Sequence, residues 1–237
     1  MMERKLNDIE YNYKSIVENI AEAAIKSGRK PEDIKFLAAT KTVEPEYINY
    51  AISLGLKYIG ENRVQELLSK YEHYDLVNAD LQFIGHLQTN KVRQLIGKVS
   101  TIQSVDSLKL AKEISRLGNN SGVSTKILVE VNVGREENKS GVMPENLEEL
   151  LFEIADLPSI SVDGLMAIPP ICENQQKIRG YFEIMRNMFI DISHKKIDNI
   201  SMNTLSMGMS GDYQEAILEG ATLVRIGSSL FGERIYK

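Results

Sequence analysis

Eight short runs of strand type alternate with helical patterns along this chain, and that alternation constrains the fold more than any other feature. The runs are Ile34 to Ala39, Tyr58 to Gly60, Leu81 to Gly85, Val99 to Gln103, Lys126 to Asn132, Val162 to Met166, Thr204 to Met207 and Thr222 to Gly227. Lys126 to Asn132 is the clearest by β-branched content. Helical periodicity fills the gaps, at Glu46 to Leu54, Arg63 to Lys70, Lys91 to Ile96, Ser107 to Leu117, Glu145 to Ala155, Ile178 to Ile192 and Tyr213 to Leu218. Such an order means parallel strands joined by crossovers. Repeated this often within 237 residues, it predicts one closed (β/α)8 barrel, a single domain over residues 1–237. An open doubly wound sheet usually has fewer strands and a glycine-rich first turn, whereas the first turn here is Thr40-Lys41-Thr42.

An extra helix precedes the first strand. From Glu3 to Ser27, Leu6, Ile9, Tyr13, Ile16, Val17, Ile20 and Ala24 recur at spacings of three and four. Gly28 stands where a C-terminal cap would, and Pro31 blocks continuation. This helix is expected to cover the barrel's flank or bottom. Residues 1–9 are charged, with no apolar signal core, and no apolar run reaches membrane-spanning length. The expectation is a cytoplasmic protein with no membrane partner.

Lysines and arginines number 28 against 33 aspartates and glutamates, a formal charge of −5. Nucleic-acid binding rests on neutralising phosphates with cations, so this balance argues against such a partner. A small phosphate needs only a local site and stays open. The single cysteine, Cys172, excludes an internal disulfide framework, and with three scattered histidines it makes no metal site.

In a barrel of this kind the active face lies at the C-terminal ends of the strands. The residues there are Thr40 and Lys41; Glu61 and Asn62; His86; Ser104; Asn132; Ala167; Ser206, Met207 and Gly208; and Arg225, Ile226 and Gly227. Lys41 ends a buried strand, where partial burial favours the neutral amine that forms imines with aldehydes. Position alone leaves a solvated rim lysine equally open. The seventh run leads into Ser206-Met207-Gly208-Met209-Ser210-Gly211-Asp212, and the eighth into Gly227-Ser228-Ser229. Glycines let backbone amides approach a ligand, and a helix start leaves N–H groups unpaired. Each loop alone also reads as turn chemistry, with Ser210 or Asp212 as an N-cap. Together, at the strands where this fold commonly holds phosphate, they favour a phosphate ligand. The first and eighth strands are neighbours in a closed barrel, so Lys41 and Arg225 face one mouth. The economical ligand is a phosphorylated aldehyde, and pyridoxal phosphate is the candidate.

Several longer stretches carry a resemblance. They are Ala39-Thr40-Lys41-Thr42; Ile59-Gly60-Glu61-Asn62-Arg63-Val64-Gln65-Glu66; Phe83-Ile84-Gly85-His86-Leu87-Gln88-Thr89-Asn90-Lys91; Val131-Asn132 with Lys139 and Gly141; Gly164-Leu165-Met166; the Ser-Met-Gly-Met-Ser run around Gly208; and Val224-Arg225-Ile226-Gly227. On these residues the chain resembles the pyridoxal phosphate homeostasis proteins, single-domain relatives of the alanine racemase barrel. The resemblance implies that Lys41 is the Schiff-base lysine and that Arg225 lies against the pyridine nitrogen. It implies that Ser210, Gly211, Gly227 and Ser228 hold the phosphate, that Asn62 sits near the cofactor mouth and that Met207 packs by the ring. Met207 reads equally as barrel filler. His86 follows a strand and could act as an acid or base, but the resemblance does not require histidine there.

Alanine racemases of this type add a C-terminal β domain, which supplies a tyrosine as a second acid–base group. This chain stops shortly after the eighth run, at Ile235-Tyr236-Lys237, and Tyr236 is a weak substitute. The implied role is a carrier that holds pyridoxal phosphate and passes it to apoenzymes, with no catalytic residue assigned. A pyridoxal-phosphate-dependent racemase or lyase of low activity is the alternative. A cofactor-free phosphate-binding enzyme is a third reading. The expected assembly is a monomer or weak dimer.

Overall fold

The structure is a computed structural model that describes residues 5–172 and 174–233. Tyr236 lies outside these residues. Among them, eight parallel strands close into one barrel in sequence order. They are β1 (Lys35–Ala39), β2 (Tyr58–Glu61), β3 (Asp80–Phe83), β4 (Thr101–Val105), β5 (Thr125–Glu130), β6 (Ile160–Met166), β7 (Ile200–Ser206) and β8 (Leu223–Ile226). The barrel closes where β1 pairs with β8, with Leu37 opposite Arg225 and Ala38 opposite Ile226. Around it run α1 (Leu6–Lys26), α2 (Pro45–Ser53), α3 (Val64–Lys70), α4 (Leu108–Ser121), α5 (Leu147–Ala155), α6 (Gln175–Lys195), α7 (Tyr213–Leu218) and the single turn α8 (Ser228–Phe231).

Strand alternation divides each strand between an outer face and a lumen face. Outward residues such as Ala38, Ile59, Phe83, Ile102, Val129 and Val224 join the helices in one continuous apolar layer. Each fully buried Ile, Val or Phe among them contributes roughly 1.5–3 kcal/mol. The lumen is different. Leu37, Ile84 and Leu223 form a small apolar wedge of their own. A Cβ on Gly60 would stand 2.6 Å from Leu37 Cδ2 and 3.1 Å from Ile84 Cδ1, so the missing side chain is what lets that wedge close. Elsewhere the lumen holds polar side chains, with Gln82, Gln103, Ser206 and Arg225 all buried, beside the apolar Leu128.

The helix α1 buries Ile9, Ile16, Ile20, Ala23 and Ala24 and packs against α7, α8 and α2. It therefore covers the flank at the β8–β1 seam, where α8 is too short to do so. Asn12 Nδ2 donates to Leu230 O at 3.1 Å, and the Arg29 guanidinium donates to the carbonyls of Ile217 and Ala221 near the end of α7.

Three expectations shift. The fourth strand begins at Thr101 and runs to Val105, two residues later than its apolar run suggests. Gln103 lies inside the strand as expected, and Ser104 joins it because both polar side chains find partners. Ser104 Oγ donates to Gly85 O at 2.6 Å, and Gln103 pairs across the lumen. The segment expected as a helix over Lys91 to Ile96 is a 3-10 turn at Thr89–Gln94, with Gly97 close behind at φ 76°. The seventh strand starts at Ile200, where an exposed polar stretch hides its beginning.

Candidate cofactor-binding site

Thr40 and Lys41 leave β1 at the C-terminal mouth. Lys41 is half-buried, and the backbone on both sides of it is tied to α3. Lys70 Nζ donates to Thr40 O at 3.0 Å, and Thr42 N donates to Glu66 Oε1 at 2.5 Å. Thr42 sits at φ 60°, a left-handed conformation that a β-branched residue seldom adopts. Behind this turn Glu61 is fully buried. Its Oε1 accepts from Lys70 Nζ at 2.9 Å and from Tyr74 OH at 2.7 Å, and lies 2.8 Å from Thr40 Oγ1. Burial and the Glu61 charge push the Tyr74 phenol far above its ordinary range, so it stays a donor. Glu61 stands at the mouth as its position at the end of β2 predicts, but its partner Lys70 has no sequence signal, because it lies nine positions away and shares no periodicity with Glu61.

The loops after β7 and β8 meet beside Lys41. A Cβ on Gly227 would lie 3.1 Å from Ala39 O, so this loop packs directly on the end of β1. The amides of Gly227 and Ser229 both point at Ser210 Oγ, at 3.2 and 3.3 Å. Two backbone donors converging on one oxygen describe an anion cradle, with the Ser210 hydroxyl as the present acceptor. A Cβ on Gly211 would meet nothing within 4 Å, which leaves room for a ligand at that backbone. Ser228 is exposed at the rim. Asp212 stands at the N-cap of α7 but does not cap it with its side chain. Its carboxylate turns back to accept from Met209 N at 2.6 Å.

Arg225 points into the lumen. Its guanidinium donates to Ser206 Oγ and, at 2.8 Å, to Ala167 O. Among the described residues no carboxylate lies within ion-pair distance of it. Burial pushes its pKa down to about 10, opposed by the charges of Glu130 and Asp212, and it remains protonated at neutral pH. Glu130, the last residue of β5, is also buried, and burial, with Asp106 nearby, pushes its carboxyl up to about 7. Sequence reading missed Glu130 because it was taken as part of a continuous strand run. Its signal is a carboxylate at a lumen-facing strand end.

The remaining expected residues divide. Asn62 follows β2, and its Oδ1 is buried with no hydrogen-bond partner among the described residues. Met207 is fully buried and belongs to the apolar layer between strands and helices, which favours the filler reading over ring packing. Asn132 is used by its own loop, donating to Glu136 O at 2.8 Å and accepting from Glu136 N at 3.1 Å. His86 is 58% exposed, and its Nδ1 lies 3.0 Å from Ser140 Oγ and 3.7 Å from Asp106. That places it as a rim tether rather than a buried acid or base. Among the described residues no group of three metal-ligating side chains comes together, and no helix is long and apolar enough to cross a membrane.

The donor set fits a phosphorylated pyridine aldehyde. There is an amine at Lys41, an amide cradle at Ser210 and Gly227, a buried cation with spare N–H donors at Arg225 and an orphaned amide oxygen at Asn62. Residues 9–235 match the family model described as alanine racemase, N-terminal domain. The pyridoxal phosphate homeostasis protein of Aquifex aeolicus is 47% identical over 93% of this chain and 96% of its own length. A structure of an unknown protein from Bifidobacterium adolescentis superposes with a TM-score of 0.91, at 34% identity over 95% of each chain. PipY of Synechococcus elongatus, solved with pyridoxal phosphate bound, gives 0.79 at 31% identity, covering 90% of this chain and all of its own. The chain belongs to the alanine racemase N-terminal domain family and, within it, to the pyridoxal phosphate homeostasis proteins.

Proposed function

We propose that this protein holds pyridoxal phosphate reversibly on Lys41, keeps the free aldehyde low and passes the cofactor to apoenzymes in the cytoplasm. When bound, the cofactor supplies an aldehyde that condenses with an amine and a ring that withdraws electrons. The observation that carries the reading is the convergence at one mouth of Lys41, the Gly227 and Ser229 amides around Ser210, and the buried Arg225. Ser210, Gly211, Gly227 and Ser228 hold the phosphate in this reading. Lys41 supplies the amine, from a turn whose two flanking peptides are fixed by Lys70 and Glu66. Arg225 faces the pyridine nitrogen. A guanidinium has no acceptor and does not give up its proton, so it leaves that nitrogen unprotonated and the ring a weak electron sink. This supports storage over turnover.

A racemase or lyase of low activity is the second reading. Glu130 favours it, as a buried carboxyl balanced near neutrality on the lumen side of the mouth. The test is an absorption spectrum with pyridoxal phosphate, then borohydride reduction and peptide mapping. Reduced cofactor on the Lys41 peptide, absent in Lys41→Ala, is the expected result. Label scattered over surface lysines overturns the site. Rapid exchange of an amino acid's α-proton in heavy water would favour the enzyme.

A further inference from the structure

The lumen carries one continuous hydrogen-bonded chain from the mouth to the opposite end of the barrel. Arg225 donates to Ser206 Oγ. Ser206 Oγ donates to Gln103 Oε1 at 2.7 Å, Gln103 Nε2 to Gln82 Oε1 at 2.6 Å, and Gln82 Nε2 to Asp80 Oδ2 at 3.2 Å. These residues come from β8, β7, β4 and β3, and β4 and β7 are not neighbours. Their side chains can meet only by crossing the lumen. Gln103 and Ser206 have no exposed surface, and Arg225 and Gln82 are 4% and 5% exposed.

The two ends set the direction of every bond. A guanidinium can only donate and a carboxylate can only accept. Between them each serine and amide has one orientation that satisfies both neighbours. Turning either glutamine would put two donors or two acceptors face to face. The Ser206 proton is thereby committed to Gln103, so its lone pairs are held toward Arg225. With Ala167 O as second acceptor, two contacts fix the guanidinium and leave its other N–H groups free for a ligand. Barrels of this fold normally fill these layers with Val, Ile and Leu. A buried polar chain gains no stability over such packing, which points to a role in placing Arg225.

We propose that Asp80, at the N-terminal end of the barrel, is a positioning residue for the bound pyridine ring, acting on Arg225 through Gln82, Gln103 and Ser206. This rests on the cofactor reading above. Asp80 is half-buried and lines a polar cavity of about 340 Å³ shared with Lys35, Lys126 and Asp163, on the far side of the barrel from Lys41. No contact with the ligand is needed for its effect. Cutting the chain at Gln103 frees the Ser206 hydroxyl to rotate. Neutralising Asp80 removes the charge that polarises the series.

The test compares the full-length protein with Asp80→Asn, Gln103→Leu and the double variant, each loaded with pyridoxal phosphate. The readouts are the absorption maximum of the bound cofactor and its release rate into excess apoenzyme. Thermal melting of the unloaded proteins reports folding separately. Gln103→Leu is expected to speed release on the order of tenfold and move the absorption maximum. Asp80→Asn should do less in the same direction, and the double variant should match Gln103→Leu, because one chain is cut once. Full additivity, or an Asp80→Asn variant with unchanged spectrum and release, overturns the proposal. Should Gln103→Leu fail to fold, Asp80→Asn decides alone, with Asp80→Glu expected to restore the spectrum. A wild-type protein in which borohydride labels no Lys41 sinks the cofactor reading as well, whereas normal labelling with inert variants sinks only this one.

Discussion

The Lys70 ammonium lies 2.9 Å from the carboxylate of Glu61, a side chain with no exposed surface. The same ammonium holds Thr40 O and Glu66, so one cation braces the turn that carries Lys41. Glu61 Oε2 has no partner among the described residues, and the pair's charge balance depends on Lys70. Lys70→Met strands a buried carboxylate, and breaking such a pair costs roughly 3–5 kcal/mol. Urea unfolding should show a lower midpoint at an unchanged slope, together with weaker cofactor binding. An unaltered midpoint would show that the pair does not brace the turn.

Glu130 gives the protein a pH dependence of definite sign. Its carboxyl is raised from 4.5 to about 7 in the folded state, so between those values the folded chain binds more protons than the unfolded one. Stability from this group is full below pH 4.5 and is lost as pH rises through 7. The difference amounts to about 3 kcal/mol. Glu130→Gln should flatten that slope and melt higher than wild type at pH 8. Equal pH profiles for the two proteins would exclude the carboxyl as the source.

Two glycines in one loop should respond oppositely to alanine. At Gly208, φ is 91° and a Cβ would stand 2.6 Å from Ala216 Cβ, so Gly208→Ala should lose stability by about 1–3 kcal/mol. At Gly211 the added methyl meets nothing within 4 Å. Gly211→Ala should therefore melt like wild type yet bind cofactor more weakly, because the methyl enters ligand space. Undiminished binding in this variant would move the phosphate away from Gly211.

Ser210→Ala removes the hydroxyl on which the Gly227 and Ser229 amides converge. Affinity for pyridoxal phosphate should fall on the order of tenfold, the worth of one hydrogen bond to a charged group. Affinity for pyridoxal, which has no phosphate, should hardly change. A parallel loss for both ligands would assign Ser210 to the loop's shape rather than to the phosphate.

The strand–helix alternation was readable because each element buries one face on a fixed period, and Tyr213 to Leu218 was placed to the residue. Strand ends with polar side chains were not, as β4 shows, because Ser104 looks like loop until its partner Gly85 O is known. Lys41, Arg225 and the Ser210 and Gly227 loops could be located because strand order alone puts them at one mouth. Gln82, Gln103 and Glu130 could not. Periodicity gives the face a residue occupies, but not what stands across the lumen from it. Met207, the residue after β7, packs in the apolar layer outside the barrel, and sequence alone left that reading level with ring packing.

Because β1 pairs with β8 and the lumen chain draws on residues from Asp80 to Arg225, none of this interior exists in a partly synthesised protein. A nascent chain emerging from the ribosome can form its early helices and strand pairs but has no sealed barrel until the eighth strand arrives. Contacts so distant in sequence close slowly. Until then the glutamines and the arginine remain hydrated, and the first edge strand stays open to wrong partners. Capture of a ligand by this architecture is therefore a late event in the life of each molecule, coupled to completion of the fold.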